Sequence, residues 1–283
     1  MGQVLRGLQW DRCLVYINDI FIFGKTFDSA LESLESVLNR ISQYGLQLKS
    51  TKCALFRTSL PFLGHIVGIE GLKCDPEKIL AVQSWKCPGN VKEVREFLGF
   101  AGYYRRFVPE FSIIAAPLTE LTKVSVDFVW TDRQQLAFDD LKELLTSAPV
   151  LAFPRGDLEY VVDCDASDYG VGGVLSQVQE GDERVIAYYS HALRSSQRKY
   201  CTTNKELLAL IASLLHFSSY LIGPRFFVRT DHASLIWLSN LRMMQGMMAR
   251  WMSLLGQFHF YIEHRPERLH ANADGVSRCY SSA

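Results

Sequence analysis

The sequence predicts an α/β (α+β) protein that ends in a mixed five-stranded sheet with flanking helices. Three observations carry that expectation. Three β-prone runs follow one another over 158–165, 170–177 and 184–190, the first two joined by a glycine-rich turn. Beyond residue 200, β runs at 225–230 and 257–263 alternate with helical stretches at 204–218, 232–239, 246–256 and 270–278. Hairpins followed by helix-separated strands give a sheet with both antiparallel and parallel pairs. Upstream, three helical stretches and a connecting helix precede that sheet, and β-prone hairpins precede them.

A chain of 283 residues is long enough for about two domains with cores of their own. A hydrophobic content of 48% with 21% charge is ordinary for a soluble globular protein. The 30 basic and 30 acidic residues cancel, so any hold on nucleic acid must come from local clusters. Seven cysteines (13, 53, 74, 87, 164, 201 and 279) show no CxxC spacing, which reads as reduced thiols and not a disulfide scaffold or zinc site. No window approaches 18 apolar residues and the N-terminus carries no signal-peptide pattern. The expected setting is intracellular, cytoplasmic or nuclear, with no membrane partner.

Taken in order, 12–24 reads as two β runs joined across Asn18-Asp19, which is ordinary hairpin-turn chemistry. Helical spacing runs from Thr26 to Tyr44, and Gly45 stops it. Two strand-like stretches follow, 46–56 and 61–73. Asp75-Pro76 opens a helix, a second covers 91–108 before Pro109, and a third covers 111–122. In the second, Tyr103 and Tyr104 lie beside Arg105 and Arg106, a combination suited to sugar stacking and phosphate contact, though equally a core pair beside solvated arginines. A capped helix follows Thr131 or Asp132, and Pro149 and Pro154 bracket a boundary. The expected divisions are 1–73, 74–127, 128–155 and 156–283.

Four carboxylates in the last division come from four different elements: Asp165, Glu206, Asp231 and Asp274. Each has a plain structural reading. Asp165 precedes a turn, Glu206 sits at the third position of a capping box opened by Thr203, Asp231 is placed to cap a following helix, and Asp274 suits a helix surface. Asp163 lies one pleat from Asp165 on the same face and competes with it. Together the four can converge on one site. Hydrolysis of a phosphodiester is served by two magnesium ions about 4 Å apart, which need several carboxylates to hold them.

The ordered motifs Asp165-Ala166-Ser167, Lys205-Glu206-Leu207-Leu208-Ala209, Thr230-Asp231-His232 and Asn272-Ala273-Asp274-Gly275-Val276-Ser277-Arg278 resemble the ribonuclease H domain of gypsy-class LTR retrotransposon Pol polyproteins. The likeness runs upstream through a helical reverse transcriptase thumb into a late palm, truncated at its start, and so covers essentially the whole chain. It implies metal-dependent cleavage of the RNA strand of RNA–DNA hybrids, with Mg2+ (or Mn2+ as a substitute) held by Asp165, Glu206, Asp231 and Asp274. It favours Asp165 over Asp163 through the Asp-Ala-Ser setting. Tyr16-Ile17-Asn18-Asp19 resembles the Tyr-X-Asp-Asp box of the polymerase site with its first aspartate lost, so polymerase chemistry by this chain alone is not expected. His264 is placed like the mobile histidine of cellular and retroviral ribonucleases H, with His270 competing. Glu267 stands where the family's His-Arg-Pro-Gly loop has glycine. Ser190, Gln197 and Tyr200, with Tyr104, Arg105 and Arg106, are the expected nucleic-acid contacts. A homo-oligomer, or a partner chain covering the truncated palm, is the expected assembly.

Overall fold

The computed structural model describes residues 1–231 and 246–264. The helices expected at 232–239 and 270–278 lie outside them, as do Asp274 and His270. Two compact units emerge, Met1–Leu63 and Gly64–Ala283. Among the described residues no helix is long and apolar enough to cross a membrane.

In the first unit β1 (Cys13–Tyr16) and β2 (Asp19–Ile22) form an antiparallel hairpin with Tyr16 opposite Asp19. Ile17 and Asn18 are therefore the turn, and Ile17 takes a φ of 53°. A β-branched side chain in the left-handed region is strained. Ile17→Gly should stabilise this unit by about 1 kcal/mol, read as a rise in melting temperature; an unchanged or lower value would show the turn to be unstrained. Thr26 and Ser29 cap α1 (Phe27–Gln43) reciprocally, and the helix buries Val37 and Ile41 beside Leu5 and Cys13. The strand expected over 46–56 does not form. Its polar middle closes on itself in a 3-10 turn, Ser50–Lys52, with Lys52 N–H donating to Lys49 O and Cys53 N–H to Ser50 O. β3 (Ser59–Phe62) follows. This core is small, and Trp10, Phe27 and Tyr44 stay mostly exposed.

The second unit begins with the hairpin of β4 (His65–Gly68) and β5 (Gly71–Cys74). Leu72 exchanges both backbone hydrogen bonds with Leu151, and Gly71, at φ 131°, leaves room for that approach. Asp75 caps α2 (Pro76–Gln83), and Asn90 caps α3 (Val91–Tyr103). The helix expected over 91–108 stops at Tyr103 and continues as a 3-10 turn, Arg105–Phe107. The one expected over 111–122 breaks into α4 (Phe111–Ile114) and α5 (Ala116–Leu121), where Pro117 offers no N–H to carry the helical hydrogen-bond ladder across the junction. With α6 (Asp132–Thr146) these helices share one core that includes Phe97, Phe107, Leu118 and Phe138.

The sheet comprises β6 (Tyr160–Ala166), β7 (Gly170–Gln179) and β8 (Asp182–Ala192), joined later by β9 (Arg225–Thr230) and β10 (His259–His264). Its order is β10-β9-β6-β7-β8. The first three strands are antiparallel neighbours, while β9 runs parallel to β6 and β10 parallel to β9. Between β8 and β9 lie α7 (Ser195–Arg198), α8 (Thr202–His216) and α9 (Ser218–Leu221); α10 (Met247–Leu255) precedes β10. Leu207, Leu210 and Leu214 of α8 pack on Val162, Cys164, Val171 and Leu175 in the main core. The helical core extends onto β8 through Val185 and Tyr188, which is why the expected boundary near residue 155 falls inside one compact unit.

Candidate active site

Asp165 lies near the end of β6, opposite Gly172 of β7, and alternates with the buried Val162 and Cys164. Asp231 directly follows β9, the parallel neighbour of β6, so both carboxylates sit at C-terminal strand ends. Glu206 enters from the start of α8. That helix opens two residues earlier than expected, at Thr202 with Cys201 as its cap residue, so Glu206 is not the third helical position and does not fold back on a cap. Ligand oxygens of Asp165, Glu206 and Asp231 fall within 4.8 Å of one another.

Burial dominates the electrostatics of this group. Glu206 is 4% exposed, and its carboxyl is pushed up to about 8, first by burial and then by the charges of Asp165 and Asp231. A hydrogen bond from the Ala166 backbone opposes the shift. Glu206 Oε2 meets no hydrogen-bond partner among the described residues. A buried carboxylate oxygen left unmatched between two further carboxylates is costly, and a divalent cation with a preference for oxygen ligands would satisfy all three at once. The donor set therefore fits Mg2+ or Mn2+. Cys164, wholly enclosed behind the group, has its thiol pushed well up by burial and by the surrounding carboxylates.

A residue invisible in the sequence joins this field. Glu110, at the start of α4, has its carboxyl raised to about 7 by burial and by the charge of Asp165. Its backbone is left-handed, with φ 50° and ψ 23°. Nothing local marks it, because its neighbourhood with Asp165 is made by the docking of α4 on β8. Ser112 N–H donates to Ser190 Oγ at 2.8 Å, Ser112 Oγ donates to Ser190 O at 2.8 Å, and Arg105 donates to the same carbonyl at 3.0 Å.

The residues expected to contact nucleic acid have definite surroundings within the chain. Ser190 lies within β8; it is 2% exposed and its hydroxyl accepts from Ser112 N–H. Tyr104 is 2% exposed, donates to Gly64 O at 2.6 Å and belongs to the helical core. Arg105 is held by Ser112, Ser190 O and the Phe111 ring, and Arg106 donates to Ile186 O. Gln197 caps the short α7 by accepting from Arg194 N–H. Tyr200 stays half-buried, edge-on to Trp251. Asp163, the rival to Asp165, faces Arg229 at 3.8 Å, and Arg229 also reaches Glu183 at 2.8 Å. His264 ends β10, while Asp274 and His270 fall outside the described residues. In the first unit, Tyr16, Asn18 and Asp19 are exposed at their hairpin.

Residues 1–67 match the family described as reverse transcriptase (RNA-dependent DNA polymerase), and residues 130–228 match the RNase H-like domain found in reverse transcriptase. The retrovirus-related Pol polyprotein from transposon 297 of Drosophila melanogaster is 35% identical over 282 residues, 98% of this chain. The chain belongs to the retrotransposon Pol family. It spans 26% of that relative's length. The fold of this Pol segment is similar to that of the foamy viral protease-reverse transcriptase dRH in complex with ds DNA, with a TM-score of 0.79 at 24% identity over 93% of this chain and 47% of that one. The foamy viral protease-reverse transcriptase in complex with RNA/DNA hybrid gives a TM-score of 0.77 over 93% and 36%. At that identity the likeness concerns the fold.

Proposed function

We propose that the second unit of this Pol segment hydrolyses the RNA strand of RNA–DNA hybrids, using Asp165, Glu206 and Asp231 to hold divalent cations, with Asp274 as the fourth ligand. The observation that carries the reading is the convergence of three carboxylates from three elements, one of them buried with an unmatched oxygen. Cations bound there would supply positive charge against the charge that builds on the scissile phosphate. The chain's own part is to aim the ligands. Ala166 N–H fixes the Glu206 carboxylate, the end of β6 places Asp165, and exposed Asp231 stands where a strand of nucleic acid can reach it. With its carboxyl near 8, Glu206 holds a proton at neutral pH in the cation-free state and releases it as a cation binds.

Nucleic acid is the proposed partner, as it is for the foamy viral neighbours described in complex with ds DNA and RNA/DNA hybrid. His264 is proposed as a proton-exchanging or product-releasing group, as the family resemblance implies. Polymerisation is not assigned to this segment, since Asn18 removes a full charge from its Tyr-X-Asp-Asp box.

The test is cleavage of an end-labelled RNA–DNA hybrid with Mg2+ or Mn2+. Asp165→Asn should lower the rate to background, because one neutral ligand cannot balance shared cations. Near-normal turnover by that variant would sink the site assignment. Hybrid binding without cleavage by the parent protein would instead show a silent binding module.

A further inference from the structure

A buried lysine stands next to the proposed cation ligands, and the proposed hydrolysis leaves it without a role. Lys205 immediately precedes Glu206, is 8% exposed, and places Nζ 2.6 Å from Asp168 Oδ1. Asp168 belongs to the turn that follows Asp165 and is itself largely exposed. Enclosing an ammonium group against one solvated carboxylate is a poor source of stability, since desolvation opposes the attraction. The pair's value lies in what it joins.

The turn is stiff before the pair forms. Ser167 Oγ accepts from Tyr169 N–H at 3.3 Å and Gly170 N–H at 3.0 Å, Ser167 N–H donates to Gly170 O at 2.8 Å, and Leu193 N–H donates to Tyr169 O at 2.8 Å. Arg198 covers the Tyr169 ring from the other side. Lys205 ties this fixed turn to the first turns of α8, while Glu206, the next residue, is tied to Ala166 N–H. Two consecutive helix residues thus grip the chain just beyond Asp165, Glu206 at Ala166 and Lys205 at Asp168.

We propose that Lys205 and Asp168 are a positioning pair that sets the separation of Asp165 from Glu206, and through it the affinity of the site for divalent cations. The inference rests on the proposed cation site. Three roles for Lys205 give different signs. A purely electrostatic role makes Lys205→Met strengthen cation binding and Asp168→Asn weaken it. Direct contact with substrate phosphate makes Lys205→Met weaken hybrid binding with cation binding unmoved, and leaves Asp168→Asn harmless. A positioning role weakens cation binding in both variants, and the double variant is no worse than either single one.

The experiment is Mn2+ binding followed by electron paramagnetic resonance on the full chain, with melting temperatures recorded alongside. The set comprises the parent, Lys205→Met, Lys205→Arg, Asp168→Asn and the double variant. Both single losses should weaken Mn2+ binding by roughly 10-fold, the usual scale for groups that orient metal ligands. Lys205→Arg, which keeps the charge and reaches the same turn, should recover most of it. Parent-like Mn2+ affinity in folded Lys205→Met, or opposite signs in the two single variants, would overturn the pair's role and leave the cation site standing. A parent protein that binds no Mn2+ would sink both.

Discussion

Glu206→Gln should raise the melting temperature of the cation-free protein at about pH 8 while removing cation-dependent hydrolysis. The folded carboxyl titrates near 8 against an ordinary value of 4.5. Between those values the folded state keeps a proton that the unfolded state has released, so stability falls as pH rises through that window. Every tenfold difference in acidity between the two states is worth about 1.4 kcal/mol, which puts the full penalty at a few kcal/mol once the site relaxes. Glu110 adds in the same direction over the narrower range from 4.5 to about 7. A bound cation reverses the penalty by stabilising the ionised form. Melting curves from about pH 5 to 9, with chelator and with Mg2+, should show a falling parent profile that Mg2+ lifts, and a flatter variant profile that Mg2+ leaves alone. Parallel profiles for the two proteins would refute the account of Glu206 as a buried, repelled carboxylate. The gain in stability on losing function is what a site built for a cation must show when the cation is absent.

That site is partly legible in the sequence, and the reason is local. Asp165 and Asp231 end β-prone runs whose alternation can be read directly, and the run at 225–230 forms β9 with those bounds. Glu206 is legible as a residue but not as a free one: a helix start placed two residues late turns it into the third position of a capping box. The competition between Asp163 and Asp165 cannot be decided by periodicity, because both share a face. Arg229, far along the chain on β9, pairs with Asp163, while a ligand oxygen of Asp165 falls with those of Glu206 and Asp231. Ser190, Tyr104 and Glu110 escape the sequence for a common reason. Their surroundings come from distant parts of the chain, Ser190 and Glu110 where α4 docks on β8 and Tyr104 where it donates to Gly64 O, and nothing within a few residues of any of them records those contacts. Polar and aromatic residues beside arginines look alike in the sequence, whereas in the fold Arg105 and Ser190 meet where α4 docks on β8 and Tyr104 bonds to Gly64 O.

The glycines after Asp165 carry the second large effect. Gly170, Gly172 and Gly173 look alike in the sequence, as places where the chain bends or is approached. The structure separates them. A Cβ at Gly172 would meet little beyond Tyr189 O at 3.8 Å. One at Gly173 would come within 2.8 Å of Ser213 Cβ and still closer to Ser213 Oγ, with the Phe217 ring next in line. Ser213 is a fully buried residue of α8, so the helix body must move if that space is filled. Overpacking of this kind costs about 1–3 kcal/mol, and Gly173→Val should lie at the upper end. Gly172→Ala should stay within roughly 1 kcal/mol of the parent, the ordinary effect of a tolerated strand substitution. The functional consequence follows from what α8 carries. A helix pushed off β7 draws Glu206 away from Asp165, so folded Gly173→Ala should bind Mn2+ more weakly than the parent and Gly172→Ala should not. Chemical denaturation and Mn2+ titration of the two alanine variants measure both effects. Equal losses at the two positions would mean that the spacing of α8 from the sheet does not set the geometry of the carboxylates.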